Sequence, residues 1–372
     1  MAKVKITGHA SGTGVVTVTA PNTSTDRTIT LPDTTGTLLD ENSSVPAANL
    51  TGTVADARFP ATLPAVSGAN LTNLPSKGKN LIINGAMRVQ QRGTASVTSG
   101  YFVDRFTLGG CSASAVLTSS TPTEFPTAIS VSATSGNPII TQKIESENCQ
   151  HLSGQTVIVS FYAKNISNAT TLYTSLATAG GVDSWGSSTT ISEQNLGSLS
   201  GSWVKYTASW TVPAGGLNGL GLNILCAGTG TFTMGVTGVQ LEVGDTATDF
   251  EHRSFGEELA LCQRYFERFA KVSSETVICL AQGTSSTLVF GRLPFSTEKR
   301  VEPSGSVSSA GHIQVLTGAA SAWNTPTGVS FSAGNKKCLR LGLSGLSGMT
   351  AGGCHEVRIN DSNGYIDFDA EL

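Results

Sequence analysis

Between Gly238 and Val243, apolar Val239, Leu241 and Val243 alternate with Gln240 and Glu242, the two-residue period of a half-buried strand. The period then changes. Ser254 stands three residues before Glu257, as in a capping box, and Leu259, Cys262, Phe266 and Phe269 fall on one helical face. Glu257 and Glu258 open this stretch and Arg264 and Arg268 end it, as the helix dipole prefers. A β domain is therefore expected to close near residue 253, with a connecting helix over residues 254–270.

Upstream, residues 80–253 show short alternating or apolar runs separated by turn residues. Strands are expected at 81–83, 102–103, 115–117, 139–144, 156–162, 171–173, 203–212 and 222–225, before the closing strand. Short strands with no helical stretch among them predict an antiparallel sandwich, a jelly roll above all. Residues 271–372 return to β patterning, with strands expected at 287–290, 313–316, 338–341 and 356–359. Asn363-Gly364, followed by Tyr365 to Phe368, is a hairpin signal. The expected class is all-β: an intertwined amino-terminal β stalk, a jelly-roll sandwich, one short helix and a smaller carboxy-terminal sandwich.

The first 79 residues have a different character. Residues 1–40 alternate in two or three short runs that cannot supply a core of their own. Within 41–79, Asn49-Leu50-Thr51-Gly52 is echoed by Asn70-Leu71-Thr72-Asn73 among prolines. This pattern fits a solvated linker or a thin shaft in which several chains share each apolar residue. The regular recurrence favours the shaft. Leu38, Leu39, Leu50, Phe59, Leu63, Leu71 and Leu74 are then the candidate oligomer interface, most simply of a symmetric homotrimer.

Composition narrows the partners. The 372 residues carry a formal charge of −3, with 42 glycines and only 13% charged residues. There is no basic face for nucleic acid. The longest apolar runs are too short to span a bilayer, and the first residues lack a secretory leader's apolar segment, so no membrane insertion is expected. Cysteines 111, 149, 226, 262, 279, 338 and 354 form no C-x-x-C pair, which favours free, buried thiols over a disulfide or metal framework.

Several stretches carry a resemblance. Asn80-Leu81-Ile82-Ile83-Asn84-Gly85-Ala86-Met87, Gln91-Arg92-Gly93 and Tyr101 to Phe106 resemble the opening of a carbohydrate-binding-like domain of bacteriophage tail-fibre proteins. Ser160-Phe161-Tyr162-Ala163-Lys164, Ser202 to Tyr206 and Val239 to Gly244 resemble its middle and end. Phe250-Glu251-His252-Arg253 and Leu259 to Phe266 resemble the junction that follows. The segment from Leu293 to Pro303 is similar to the opening of terminal tail-fibre domains.

The resemblance implies a structural protein of a phage virion, assembled in the host cytoplasm. It would be a trimeric tail fibre or spike that adsorbs to host surface glycan or lipopolysaccharide and joins other tail or capsid proteins through residues 1–79. The alternatives are an architectural head fibre, decoration protein or tail adaptor, and a glycan-degrading spike. The last would need paired carboxylates in a groove, and the sequence marks no such pair. No catalytic residue, cofactor or metal is expected. His355-Glu356 beside Cys354 points to opposite strand faces, and surface histidine is the plainer reading. Met87-Arg88 occupies the place where jelly-roll modules put an acidic calcium ligand. For glycan contact, aromatic rings that stack on sugar C–H faces are the candidates: Trp185 in a turn-rich loop, Trp323, Tyr173 and Tyr365.

Overall fold

A computed structural model describes residues 78–372 apart from 94–96, 111–112, 272–275 and 318–321, together with scattered positions between 11 and 28. The interface candidates Leu38, Leu39, Leu50, Phe59, Leu63, Leu71 and Leu74 lie outside the described residues, as does nearly all of the expected stalk. The chain divides into two compact units, Met1–Leu71 and Thr72–Leu372, and nearly all of the described residues lie in the second.

Among the described residues the first sandwich has nine strands. They are β1 (Gly100–Val103), β2 (Phe106–Gly109), β3 (Ala113–Thr118), β4 (Ala128–Ala133), β5 (Ile139–Ile144), β6 (Thr156–Gly181), β7 (Ser184–Ser198), β8 (Val204–Thr211) and β9 (Leu220–Val243). β6, at 26 residues, would run about 85 Å if straight, far longer than one layer of a domain this size. It bends instead. Its register with β9 passes from Asn168↔Thr233 to Ala169↔Gly228, skipping Thr229 to Phe232. Asn168 and Gly230 take positive φ at this corner, of 51° and 61°.

The bend turns two strands into two layers. The first half of β6 and the second half of β9 pair with β8 and β4; the remaining halves pair with β7 and β5. Val157, Val159, Phe161, Leu172 and Leu176 of β6 meet Leu222, Ile224, Val236 and Leu241 of β9 in the core between them.

The expected helix over 254–270 is shorter. α1 spans Phe255–Gln263, with the Ser254 hydroxyl accepting from the Glu257 N–H at its start. Phe266 and Phe269 are not on a helical face. They belong to β10 (Phe266–Ala270), which pairs in antiparallel register with β19 (Tyr365–Asp369), a partner no local pattern announces. β13 (Ser304–Val307) completes a three-stranded sheet. Opposite it lies a sheet of β11 (Thr276–Ser285), β12 (Leu288–Pro294), β14 (Ile313–Leu316), β15 (Trp323–Asn324), β16 (Gly328–Ser332), β17 (Cys338–Ser344) and β18 (Cys354–Ile359). Ile366 and Phe368 pack on Val289, Leu341 and Val357 to form the second core.

Two local expectations change here. Asn363-Gly364 turns the chain between β18 and β19, but these strands sit in different sheets and form no hairpin. His355 is not at the surface: it is 2% exposed, with Nδ1 2.9 Å from the Leu316 carbonyl oxygen. Its neighbours in space are backbone groups, so it acts as a packed, hydrogen-bonded side chain.

The six described cysteines are free. Burial pushes the thiols of Cys149 and Cys226 up to about 12, and that of Cys262 well above its ordinary value. A thiol held protonated does not alkylate. Native protein treated with iodoacetamide at pH 8 is expected to label at exposed Cys354 and to spare Cys149, Cys226 and Cys262 until it is unfolded. Peptide mass mapping checks this, and early labelling of the buried three would contradict the packing.

Candidate functional site

The outward face of the second layer is assembled by register. In β5, Ile140, Gln142 and Ile144 turn inward, leaving Ile139, Thr141 and Lys143 outside. In β9, Leu222, Ile224 and Cys226 join the core, so Gly221, Asn223 and Leu225 face outward. Pairing then aligns Tyr101 with Thr107, Thr107 with Thr141, Thr141 with Asn223, Asn223 with Ser175, and Ser175 with Glu193. This polar row crosses six strands, about 24 Å at ordinary strand spacing.

The middle of the row is wired. The Thr107 hydroxyl donates to the Thr141 carbonyl oxygen (3.4 Å), and the Thr141 hydroxyl to Asn223 Oδ1 (2.7 Å). Asn223 Nδ2 in turn donates to Ser175 Oγ (3.1 Å). An amide has two N–H donors and two acceptor lone pairs, so Asn223 keeps one of each uncommitted while its orientation is held.

Aromatic rings flank the row. Tyr173 pairs with Leu225 and Asn195, one step along the strands on one side. On the other side the Trp185 ring lies over Gly221 and Gly219, where a Cβ at Gly221 would meet Cζ3 at 2.9 Å. Glycine at 221 is thus the space that the indole occupies. Gly221 pairs with Ala177, four residues along β6 from Tyr173, about 13 Å of strand. Trp185 is in β7 rather than in a loop, half-buried, and its Nε1 has no hydrogen-bond partner among the described residues. Lys143 Nζ stands 5.3 Å from its ring centroid and donates to the Leu372 main-chain oxygen (2.7 Å). Burial and then the Arg105 charge hold this ammonium below its ordinary range.

Trp323 and Tyr365 are elsewhere, on β15 and β19 of the second sandwich. The Arg358 guanidinium covers Trp323 at 3.6 Å, and that of Arg268 covers Tyr365 at 3.8 Å while gripping Asp367. The structure thus brings Tyr173 and Trp185 to one face and leaves Trp323 and Tyr365 apart from it. Sequence reasoning missed Thr107, Thr141, Ser175 and Asn223. The alternation in 139–144 was visible, but nothing local showed that these four residues share a row.

Among the described residues no group of three or more His, Cys, Asp or Glu could hold a metal ion, and no helix is long and apolar enough to cross a membrane.

No family model matches the chain, and no curated protein matches it. Solved structures similar to part of it include the enzymatically active domain of bacteriophage CBA120 tailspike protein 4, at TM-score 0.32 and 17% identity, covering 45% of this chain and 22% of that one. Another is a putative sugar binding protein from Bacteroides thetaiotaomicron, at TM-score 0.33 and 14% identity, covering 44% of this chain and all of that one. A third is the CBM22-1 xylan-binding domain of Paenibacillus barcinonensis Xyn10C, at TM-score 0.32 and 12% identity, covering 45% of this chain and 96% of that one.

Proposed function

We propose that this protein is a non-enzymatic fibre or spike component of a phage virion that binds host surface glycan across the outward face of its first sandwich. The row of Thr107, Thr141, Asn223 and Ser175, held in register and flanked by Tyr173 and Trp185, supports the glycan part. A sugar chain offers C–H faces to rings and hydroxyls to amide and hydroxyl groups, and this face presents both kinds of partner at fixed spacing. The motifs shared with tail-fibre proteins and the leucine repeat near the amino end support the virion and trimer parts. Three weak contacts on one particle would combine through effective concentration into firm adsorption.

Full-length protein screened on an array of bacterial surface polysaccharides is expected to select a ligand. Asn223→Ala should then weaken binding by at least about tenfold, or ~1.4 kcal/mol, and Trp185→Ala by a similar factor. Both variants should keep the circular dichroism spectrum of the parent. Undiminished affinity in both would remove this face from the binding site. Release of reducing ends from the selected polysaccharide would show catalysis and overturn the non-enzymatic reading.

A further inference from the structure

A second site stands on the outer face of the other layer, and it does not rest on the glycan reading above. There Ser160 and Tyr162 of β6 point away from the core, since Val159, Phe161 and Ala163 point into it. The segment after β9 folds back over them and encloses a cavity of about 320 Å³, at the small end of ligand sites. Its walls are the rings of Tyr162, Phe250 and His252. Phe125 lies beneath, with ring centroids 5.5 Å from Tyr162, 5.0 Å from Phe250 and 5.6 Å from His252. Gly238 makes this possible: at φ +63°, a Cβ there would meet Phe125 Cζ at 2.5 Å.

Two carboxylates beside the rings are unspent. Glu124 and Asp249 line the cavity, and neither carboxylate has a hydrogen-bond or ion-pair partner among the described residues. The Asp249 main-chain oxygen accepts from Lys79 Nζ at 2.7 Å and from Gln240 Nε2 at 3.2 Å. Lys205 Nζ, the one ammonium on the lining, is drawn to the Thr248 carbonyl oxygen at 2.9 Å. The Tyr162 phenol is held above its ordinary range by burial first, then by the charges of Glu124 and Asp249. Two free anions over aromatic faces attract a cation. The volume limits that cation to a small ring.

We propose that this cavity binds one amino-sugar residue, its C–H face on Tyr162 and Phe250 and its ammonium between Glu124 and Asp249. The ligand is either a free monosaccharide or the unacetylated end of a polysaccharide.

Calorimetry on the full chain with glucosamine, N-acetylglucosamine, glucose and a chitosan oligomer tests it. Glucosamine should bind at least about tenfold more tightly than the two neutral sugars. The double variant Glu124→Gln/Asp249→Asn, changed only at exposed side chains, should lose that preference. Glu298→Gln, at an exposed carboxylate of the second sandwich, should keep it. As a readout in the unmutated protein, the His252 imidazole proton resonance should shift with glucosamine and not with glucose. Tighter binding of the oligomer assigns the site to a chain end, and equal binding assigns it to the free sugar; both support it. Equal affinity for all three monosaccharides, a preference that survives the double variant, or its loss in Glu298→Gln would overturn it.

Discussion

Arg105→Met is expected to destabilise the protein by about 3 kcal/mol in urea unfolding, because it strands a buried carboxylate. Arg105 is 1% exposed and sits at φ +75° in the turn between β1 and β2. Its guanidinium pairs with Glu371, donates to the Lys143 carbonyl oxygen (2.6 Å) and lies 3.4 Å over the Tyr265 ring. Arg92, 3.3 Å from Glu371, remains in the variant and keeps the loss at the low end for a broken buried pair. Adding Glu371→Gln should recover most of it, since removing both charges leaves nothing stranded.

The loss should also depend on pH. Burial already raises the Glu371 carboxyl, and Arg105 opposes that rise. Without Arg105 the folded variant keeps a proton that the unfolded chain releases, so its stability falls as pH climbs through the carboxylate range. The deficit should be smallest in acid, where Glu371 is protonated in both states. A deficit that is flat with pH and not relieved by the double variant would mean that this pair does not hold the two sandwiches together.

Gly85→Ala should cost a similar amount, about 3 kcal/mol, at the upper end for overpacking. A Cβ at this position would overlap the Val239 carbonyl oxygen, and the Gly85 carbonyl accepts from Val239 N–H at 2.9 Å. Neither backbone can withdraw without breaking that bond. Gly186→Ala is the matched control, since a Cβ there meets nothing within 4 Å. Equal unfolding midpoints for the two variants would show that residues 80–85 are not clamped to β9.

These two positions lie in the stretches Asn80 to Met87 and Tyr101 to Phe106, whose polar residues are spent on the protein's own backbone and charges. Asn84 is fully buried at φ +61°, its side chain bonded to Val89 N–H and to the Val89 and Asp104 carbonyl oxygens. Asp104 accepts from Gln91 and Arg92; Glu251 receives Asn80 N–H; Arg253 reaches the Asn80 and Ile82 carbonyl oxygens. These residues are thus a scaffold that closes the first sandwich and seats the second. They fix the frame on which the polar row is laid out, and of them Tyr101 alone lies in that row.

Alternation along 139–144 and 239–243, the capping residue Ser254 and the glycine-rich turns were enough to establish an all-β chain with a single short helical interruption. These are local signals, spoken by each residue to neighbours a few positions away. Phe266 became a strand residue, His355 an interior one, and Asn363-Gly364 a crossing between sheets because their partners come from distant chain segments. The same holds for the candidate site, where Thr141 meets Asn223 across 82 positions, and for the buried scaffold, where Arg105 meets Glu371 across 266. Composition and period decide which residues alternate. Which of them share a face is decided only when the bend in β6 and β9 sets the register, since a slip of one residue turns every side chain to the opposite side.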